Sequence, residues 1–385
     1  MSFDFQNRIR LGMVGGGEGA FIGAVHRLAA RMDDHYTFVA GALSSTPDKA
    51  KRSGAALGLA PDRVYSDYEA MAKAEAKRPD GIEAVSIVTP NHMHAPVAKA
   101  FLKAGIHVIC DKPLALSLKE AKSLEALLAK RKDVIFALTH NYSGYPMIRH
   151  AKAMVKAGEL GEIRVVQGEY PQDWLTTALE KTGQKQAAWR TDPKRSGAGG
   201  CVGDIGTHTY QLLCDVSGLA GEELAADLTS FVKGRVLDDN AHVMLRFKGG
   251  AKGMIWASQV APGNENGLKI RIYGTKGGLE WKQEDPNYLW YTPFGEPKRL
   301  ITRGGAGSNA AAGRMTRVPP GHPEGYLEGF ANIYSEVALA IKAKRSGRKP
   351  DKAITFPGIE DGVAGMAFIE ACVKSSAKNG KWMKL

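Results

Sequence analysis

At 385 residues, 44% hydrophobic and 24% charged, the chain has the composition of a globular protein and the length of two domains. No run of 18 apolar residues occurs, which excludes a membrane-spanning helix. The formal net charge of +12 raises nucleic acid or an anionic ligand as partners. The Lys and Arg are nevertheless spread along the chain, the densest clusters (Lys342-Ala-Lys-Arg345 and Arg348-Lys349) read as a solvated helix end, and no basic stretch is interleaved with base-stacking aromatics. No nucleic-acid partner is expected.

The first 140 residues alternate short apolar runs with helical patterns. Strands are expected at Ile9–Val14, Phe38–Leu43, Ala84–Val88, Ile106–Cys110 and Val134–Leu138. Between them, helices are expected at Gly23–Arg31, Pro47–Leu57, from an Asp67 cap to about Ala76, Ala95–Ala104 and Ser117–Lys130. Pro47 suits a helix start, Gly105 a helix end, and Ser117 with Glu120 a capping box. Strands without polar alternation, separated by helices, imply a parallel sheet covered on both faces. This is a doubly wound α/β domain over 1–140.

After residue 140 the rhythm changes. A helix is expected at Met147–Ala157 and a strand at Ile163–Tyr170. From about Ala225 to Arg303, strand-like runs are joined by hairpin signals at Lys248-Gly-Gly250, Gly274-Thr-Lys-Gly277 and Pro293-Phe-Gly295. That pattern is a mostly antiparallel sheet. Ile301–Pro320 reads as a long loop, and helices at Tyr326–Lys344 and Ile359–Ser376 close an α/β domain over 141–385. Cys110, Cys201, Cys214 and Cys372 are scattered with no Cys-x-x-Cys spacing, so neither a disulfide scaffold nor a zinc site is expected. The opening MSFDFQNRIRLGMVGGG lacks the features of a signal peptide, so a cytoplasmic location is expected.

GMVGGGEGAFIGAVH (12–26) follows the first strand. Gly15 and Gly17 sit where the chain must turn sharply and let a phosphate approach the backbone N–H groups at a helix start. A dinucleotide site is the expected use, because strand, glycine turn and helix open a run of βαβ units. Ala20 has the usual spacing of the third small residue, while Gly23 at the helix start fits a loop about three residues longer. The second strand ends in Ala42-Leu-Ser-Ser45 with no acid. Ser44 and Ser45, with Lys49 and Arg52 downstream, leave both NAD and NADP open.

Ligands in a doubly wound sheet bind beyond the carboxyl ends of the strands. Three such ends carry polar residues: Thr89-Pro90-Asn91-His92-Met93-His94, Asp111-Lys112-Pro113 and His140-Asn141-Tyr142. Lys112 is held extended by the proline after it. Over a cofactor it is placed to bind a substrate hydroxyl and to stabilise it as it loses its proton. Asp111 reads as an orienter or a cofactor contact.

SGAGGCVGDIGTH (196–208) places Asp204 four residues before His208. One reading is a metal pair, but no second His or Cys stands at ligand spacing and no metal is expected. A second is Asp204 as a helix N-cap. The third is catalytic: His208 takes a proton near neutrality while Asp204 supports it or binds a substrate hydroxyl.

Together these residues resemble the glucose–fructose oxidoreductase/inositol dehydrogenase (Gfo/Idh/MocA) family. The resemblance lies in AVSIVTPNHMHAPVAKAFLKAGIHVICDKPLA (84–115), GGCVGDIGTH (199–208) and IYGTKGGLEW (272–281), with Asp111 where the family usually has Glu. It implies a Rossmann domain followed by an α/β domain with a large open sheet often used for oligomerisation, hence a homodimer or homotetramer. It implies a nicotinamide cofactor, NAD or NADP, and a carbohydrate substrate oxidised or reduced at a CH–OH group. Catalytic roles carry over to Lys112 and His208, with Asp204 beside them, and cofactor contacts to Gly15, Gly17, Thr89, Asn91, His94 and Asp111. Ala20, Ser44, Lys112 and Asn141 join the cofactor set. Trp189 and Arg190, in a stretch (174–197) that looks like a subgroup's own, are expected near cofactor or substrate. Tyr142 and His322 are expected at the substrate pocket. Two other readings stay open: a glycoside hydrolase working through transient sugar oxidation and elimination, and a sensor that binds dinucleotide without turnover.

Overall fold

The computed structural model describes residues 7–385. The chain runs β1 (Ile9–Gly15), α1 (Phe21–Met32), β2 (Tyr36–Ala42), α2 (Pro47–Ala56), α3 (Tyr68–Glu75), β3 (Ala84–Val88), α4 (His94–Ala104), β4 (His107–Cys110), α5 (Leu118–Ala129) and β5 (Phe136–Leu138). The five strands form one sheet in the order β2-β1-β3-β4-β5, and every pairing is parallel. All five residues of β3 are buried, as a strand covered on both faces requires. Local signals set the helix boundaries. The Asp67 carboxylate accepts the Ala70 N–H at 2.7 Å, and Gly105 ends α4 at φ 82°, a conformation that favours glycine.

The core of this unit includes a segment from far along the chain. Helix α11 (Tyr326–Arg345) brings Phe330, Tyr334, Val337 and Ile341 against Val25, Ala29 and Ala30 of α1 and against Ile9 and Leu11 of β1. Tyr36 Oη donates to the Tyr334 carbonyl at 2.8 Å. The first compact unit is therefore the stretch up to Ala115 with Lys119–Asn141 and Tyr326–Val363, and the second is Leu116–Leu118, Tyr142–Gly325 and Ala364–Leu385. The expected division at 140/141 differs in assigning 326–363 to the second domain. The physical reason is that α1 presents an apolar face that needs a cover, and α11 supplies it.

The second unit continues with α6 (Pro146–Lys156), β6 (Ile163–Pro171), α7 (Lys185–Arg190), α8 (Pro193–Ser196), α9 (Thr207–Ser217), β7 (Gly221–Thr229), β8 (Asn240–Phe247), β9 (Lys252–Ser258), β10 (Lys269–Gly274), β11 (Gly277–Lys282), β12 (Tyr288–Pro293), β13 (Arg299–Thr302) and α10 (Ala310–Arg314). Helix α12 (Ile359–Ser376) and the short β14 (Met383–Lys384) end the chain. Nine strands form a sheet ordered β13-β12-β11-β10-β6-β9-β8-β7-β14. All pairs are antiparallel except β6 with β9. The three expected hairpins close at the expected glycines. Helix α9 crosses β6 where Gly168 leaves room: an added Cβ would stand 2.2 Å from Thr209 Cγ2.

The stretch read as a loop, Ile301–Pro320, instead includes the end of β13 and α10, which Asn309 caps by accepting the Ala312 N–H at 3.1 Å. It is held by the buried Arg303, which pairs with the equally buried Glu324 at 3.0 Å and donates to the Val318 carbonyl at 2.8 Å. Among the described residues, no helix is long and apolar enough to cross a membrane.

Candidate active site

The candidate residues form two sets, one on each unit. In the first unit β1 leaves its sheet through Gly15 and Gly16, at φ 84° and 71°. An added Cβ at Gly17 would stand 2.6 Å from the Leu43 carbonyl oxygen and 2.8 Å from Ser53 Oγ. Packing against β2 and α2 thus requires glycine there, independently of any phosphate. Gly23, in the first turn of α1, faces Gly16: its added Cβ would stand 2.3 Å from Gly16 Cα. It is the close-packing glycine of a lengthened loop. Ala20 is extended at the start of α1, its N–H donating to the Gly17 carbonyl at 3.0 Å. Ser44 Oγ accepts the Thr46 N–H at 3.1 Å.

At the carboxyl end of β3, Thr89 Oγ1 is buried with no hydrogen-bond partner, and so is Asn141 Nδ2 after β5. Asn91 is buried and begins the short turn into α4. Asp111 Oδ1 accepts the Lys112 N–H at 2.9 Å and Thr139 Oγ1–H at 3.0 Å. It therefore fixes the backbone that carries the half-buried Lys112, whose peptide bond to Pro113 is cis. His94 is buried, with Nδ1 2.6 Å from the Pro113 carbonyl and Nε2 2.8 Å from the Thr89 carbonyl. Burial lowers its pKa, partly offset by Asp111 and by the two carbonyls. Both ring nitrogens are occupied by main chain, so His94 ties the Thr89 and Lys112 loops together rather than offering an open polar edge. Orphaned polar atoms at the ends of β3 and β5, beside a glycine turn at a helix start, fit a dinucleotide lying across the strand ends.

In the second unit Asp204 is not a helix cap. It lies in a single wide turn, Val202–Gly206, of the π type that feeds α9, and such turns are frequent at functional sites. Its Oδ2 accepts from Gln259 Nε2 at 2.9 Å and from Arg190 Nε at 3.3 Å. Arg190 also donates to Gln186 Oε1 at 2.6 Å and stacks over Trp189, 4.3 Å from the ring centroid. The wide turn is held by Asp238. Its carboxylate accepts the N–H of Gly200 at 2.6 Å, the N–H of Val202 at 2.8 Å and the Cys201 thiol at 3.1 Å. Burial raises the Asp238 pKa, against the lowering effect of these donors. Gly200 is needed for the approach, since an added Cβ would stand 2.0 Å from the Asp238 carbonyl oxygen.

His208 is buried and sits edge-on to Tyr142, ring centroids 4.9 Å apart. Tyr142 and Tyr170 are joined through their hydroxyls. Tyr170 Oη and Gln172 Nε2 donate to Asn266 Oδ1 at 2.7 and 2.8 Å, and Asn266 Nδ2 donates to Gln283 Oε1 at 2.9 Å. Two phenols therefore stand beside the imidazole, and a chain of neutral amides extends from them. His322 forms none of these contacts: its side chain is exposed and its carbonyl accepts from Arg303. Among the described residues, no group of three or more His, Cys, Asp or Glu is placed to hold a metal ion. Gln259, Asn266, Gln172 and Asp238 escaped the sequence reading. Gln259 alone carries a signal, a polar residue just past the strand end Trp256-Ala-Ser258.

Comparison with known proteins now bears on this geometry. Residues 9–140 match the family model described as "Oxidoreductase family, NAD-binding Rossmann fold", and residues 148–280 match the GFO/IDH/MocA C-terminal domain. The oxidoreductase YfiI of Bacillus subtilis is 38% identical over 98% of this chain and 96% of its own. This chain belongs to the GFO/IDH/MocA oxidoreductase family. An oxidoreductase structure from Sinorhizobium meliloti superposes with a TM-score of 0.88 at 60% identity, covering 98% of this chain and 99% of that one. An inositol dehydrogenase homologue from Azotobacter vinelandii, in complex with NADH and myo-inositol, gives 0.91 at 37% identity over 98% of each chain. As a GFO/IDH/MocA protein, the chain is an NAD(P)-dependent oxidoreductase whose N-terminal unit is the NAD-binding domain.

Proposed function

We propose that this oxidoreductase acts on a CH–OH group of a neutral sugar or cyclitol, with Lys112 and His208 handling the proton. The observation that carries this reading is the network beside His208. Tyr142, Tyr170, Gln172, Asn266 and Gln283 supply donors and acceptors without net charge, and the nearby cation Arg190 is engaged with Asp204. Such a lining suits hydroxyl groups better than a phosphate or carboxylate. The relative bound to NADH and myo-inositol supports the same class.

A nicotinamide dinucleotide held by the first unit would supply the hydride acceptor for the carbinol carbon. The chain's own residues do the rest. A ring nitrogen of His208 takes the hydroxyl proton, Lys112 stabilises the oxygen as negative charge develops on it, and Asp204 binds a neighbouring hydroxyl or orients His208. Arg190 and Gln259 hold the Asp204 carboxylate in one place. The test is a panel of neutral sugars and cyclitols with NAD+ and NADP+. Reduced nicotinamide is expected with at least one of them, and Lys112→Met should abolish nearly all turnover. Cleavage of aryl glycosides that needs the dinucleotide but leaves it unreduced would replace this reading with the redox-assisted hydrolase. Binding of dinucleotide with no turnover of any kind would leave a sensor.

A further inference from the structure

β2 is followed by Leu43-Ser-Ser-Thr46, which has no carboxylate to hold the adenosine ribose hydroxyls. Ser44 Oγ is turned back to the Thr46 N–H. The lengthened glycine loop brings a carboxylate, Glu18, against α2, the helix that follows this turn. Glu18 donates its N–H to Ser53 Oγ on α2 at 3.0 Å, and the preceding Gly17 packs on the Leu43 carbonyl with no room for a Cβ. These two contacts fix residue 18 at the exit of β2. The Glu18 carboxylate meets Arg52 Nη2 at 3.4 Å. Lys49 and Arg52, three residues apart on α2, share a face of that helix.

We propose that Glu18 decides which dinucleotide is taken. Its carboxylate stands in for the acid missing after β2, and by pairing Arg52 it withholds the cation that a 2′-phosphate would use. The chain prefers NAD to NADP. This deepens the NAD-binding assignment of the first unit and does not depend on the identity of the sugar. The Glu18–Arg52 pair is exposed, and exposed pairs contribute little stability, so substitutions at either position leave the fold intact.

The experiment is calorimetric titration of the full-length protein with NAD+ and with NADP+, for wild type, Glu18→Gln, Arg52→Ala and the double variant, with thermal melts to verify folding. Wild type binds NAD+ more tightly. Glu18→Gln moves the ratio of the two dissociation constants toward NADP+ by about tenfold, whereas Arg52→Ala leaves that ratio near the wild-type value and, added to Glu18→Gln, abolishes the gain. If wild type takes NAD+ but the ratio in Glu18→Gln stays within about twofold of it, the role of Glu18 is overturned and the dinucleotide site stands. A wild type that prefers NADP+ also overturns it. If wild type binds neither dinucleotide, the assignment of the site fails along with the proposal.

Discussion

Replacing Gly23 by alanine tests whether the approach of α1 to the glycine turn is what positions the cofactor loop. The new methyl carbon would lie 2.3 Å from Gly16 Cα and 2.6 Å from the Gly16 carbonyl oxygen. Unstrained contacts between carbons are roughly 3.5–4.0 Å, so helix and turn must separate by about 1 Å or more. Neither contacting atom is the tip of a flexible side chain, so the backbone itself must give. Overpacking of this kind costs about 1–3 kcal/mol. Alanine's better helix propensity recovers up to about 1 kcal/mol in a helix interior, and less in a first turn. The net cost, up to about 3 kcal/mol, is expected to appear as a lower melting temperature, as weaker dinucleotide binding of up to roughly 150-fold where the turn stays displaced, or divided between the two. NADH fluorescence titration alongside thermal melts measures both. The control is Gly19→Ala: Gly19 has φ 73° and no atom within 4 Å of an added Cβ, so it bears only a left-handed backbone penalty of about 1–2 kcal/mol. If Gly23→Ala binds NADH as tightly as wild type and melts at the same temperature, the Gly16–Gly23 contact is not what demands glycine.

Other outcomes follow from the same structure. Asp238→Asn removes one of the two carboxylate acceptors that hold Gly200, Cys201 and Val202, at a cost of about 1–3 kcal/mol; kcat should fall more than dinucleotide affinity, and equal losses in both would argue against a role confined to the Asp204 turn. His26 is fully buried, with Nε2 unpartnered, and burial lowers its pKa to about 4. Its folded pKa lies below its unfolded value of 6.5, so the unfolded chain binds the extra proton between those values and stability falls as pH drops from about 6.5 to 4, by up to about 3 kcal/mol. Denaturant titrations across that window should show this slope reduced in His26→Asn; an unchanged slope places the acid sensitivity elsewhere, His107 being the next candidate because burial lowers its pKa to about 4 as well. Comparing pH–rate profiles of Lys112→Arg and His208→Asn identifies the group that takes the proton: the acid limb should vanish in His208→Asn and persist in Lys112→Arg, and the reverse would exchange their roles.

Local chemistry made much of the fold readable. Ala84–Val88 and Ile359–Ser376 occur as expected because an unbroken apolar run and a well-flanked helical period leave the backbone few alternatives. The hairpins at Lys248–Gly250 and Gly274–Gly277 were legible because their turns demand glycine. Three features could not be seen along the chain. Tyr334 pairs with Tyr36, His26 and Ser86 across roughly 250 to 310 positions, and no local period encodes such a partner. The wide turn at Asp204 exists because Asp238 pulls on Gly200 and Val202, so spacing alone suggested an ordinary helix start. The amides of Gln172, Asn266 and Gln283 lie just beyond the ends of separate strands and converge only once the sheet is built. Among the candidate site residues, reactive types in short motifs (Lys112, Asp204, His208) were visible, whereas Gln259 and Asp238, which hold Asp204 and its turn from distant strands and loops, were not.

The pairing of α11 with α1 has a consequence during synthesis. Residues 7–141 emerge from the ribosome carrying an apolar face on α1 whose natural cover begins only at Tyr326. At about 5–20 residues per second, that face waits roughly ten to forty seconds for its partner helix. An isolated N-terminal fragment would keep it open indefinitely. Expressed alone, such a fragment should be prone to aggregation, and adding a peptide corresponding to Tyr326–Arg345 should rescue it.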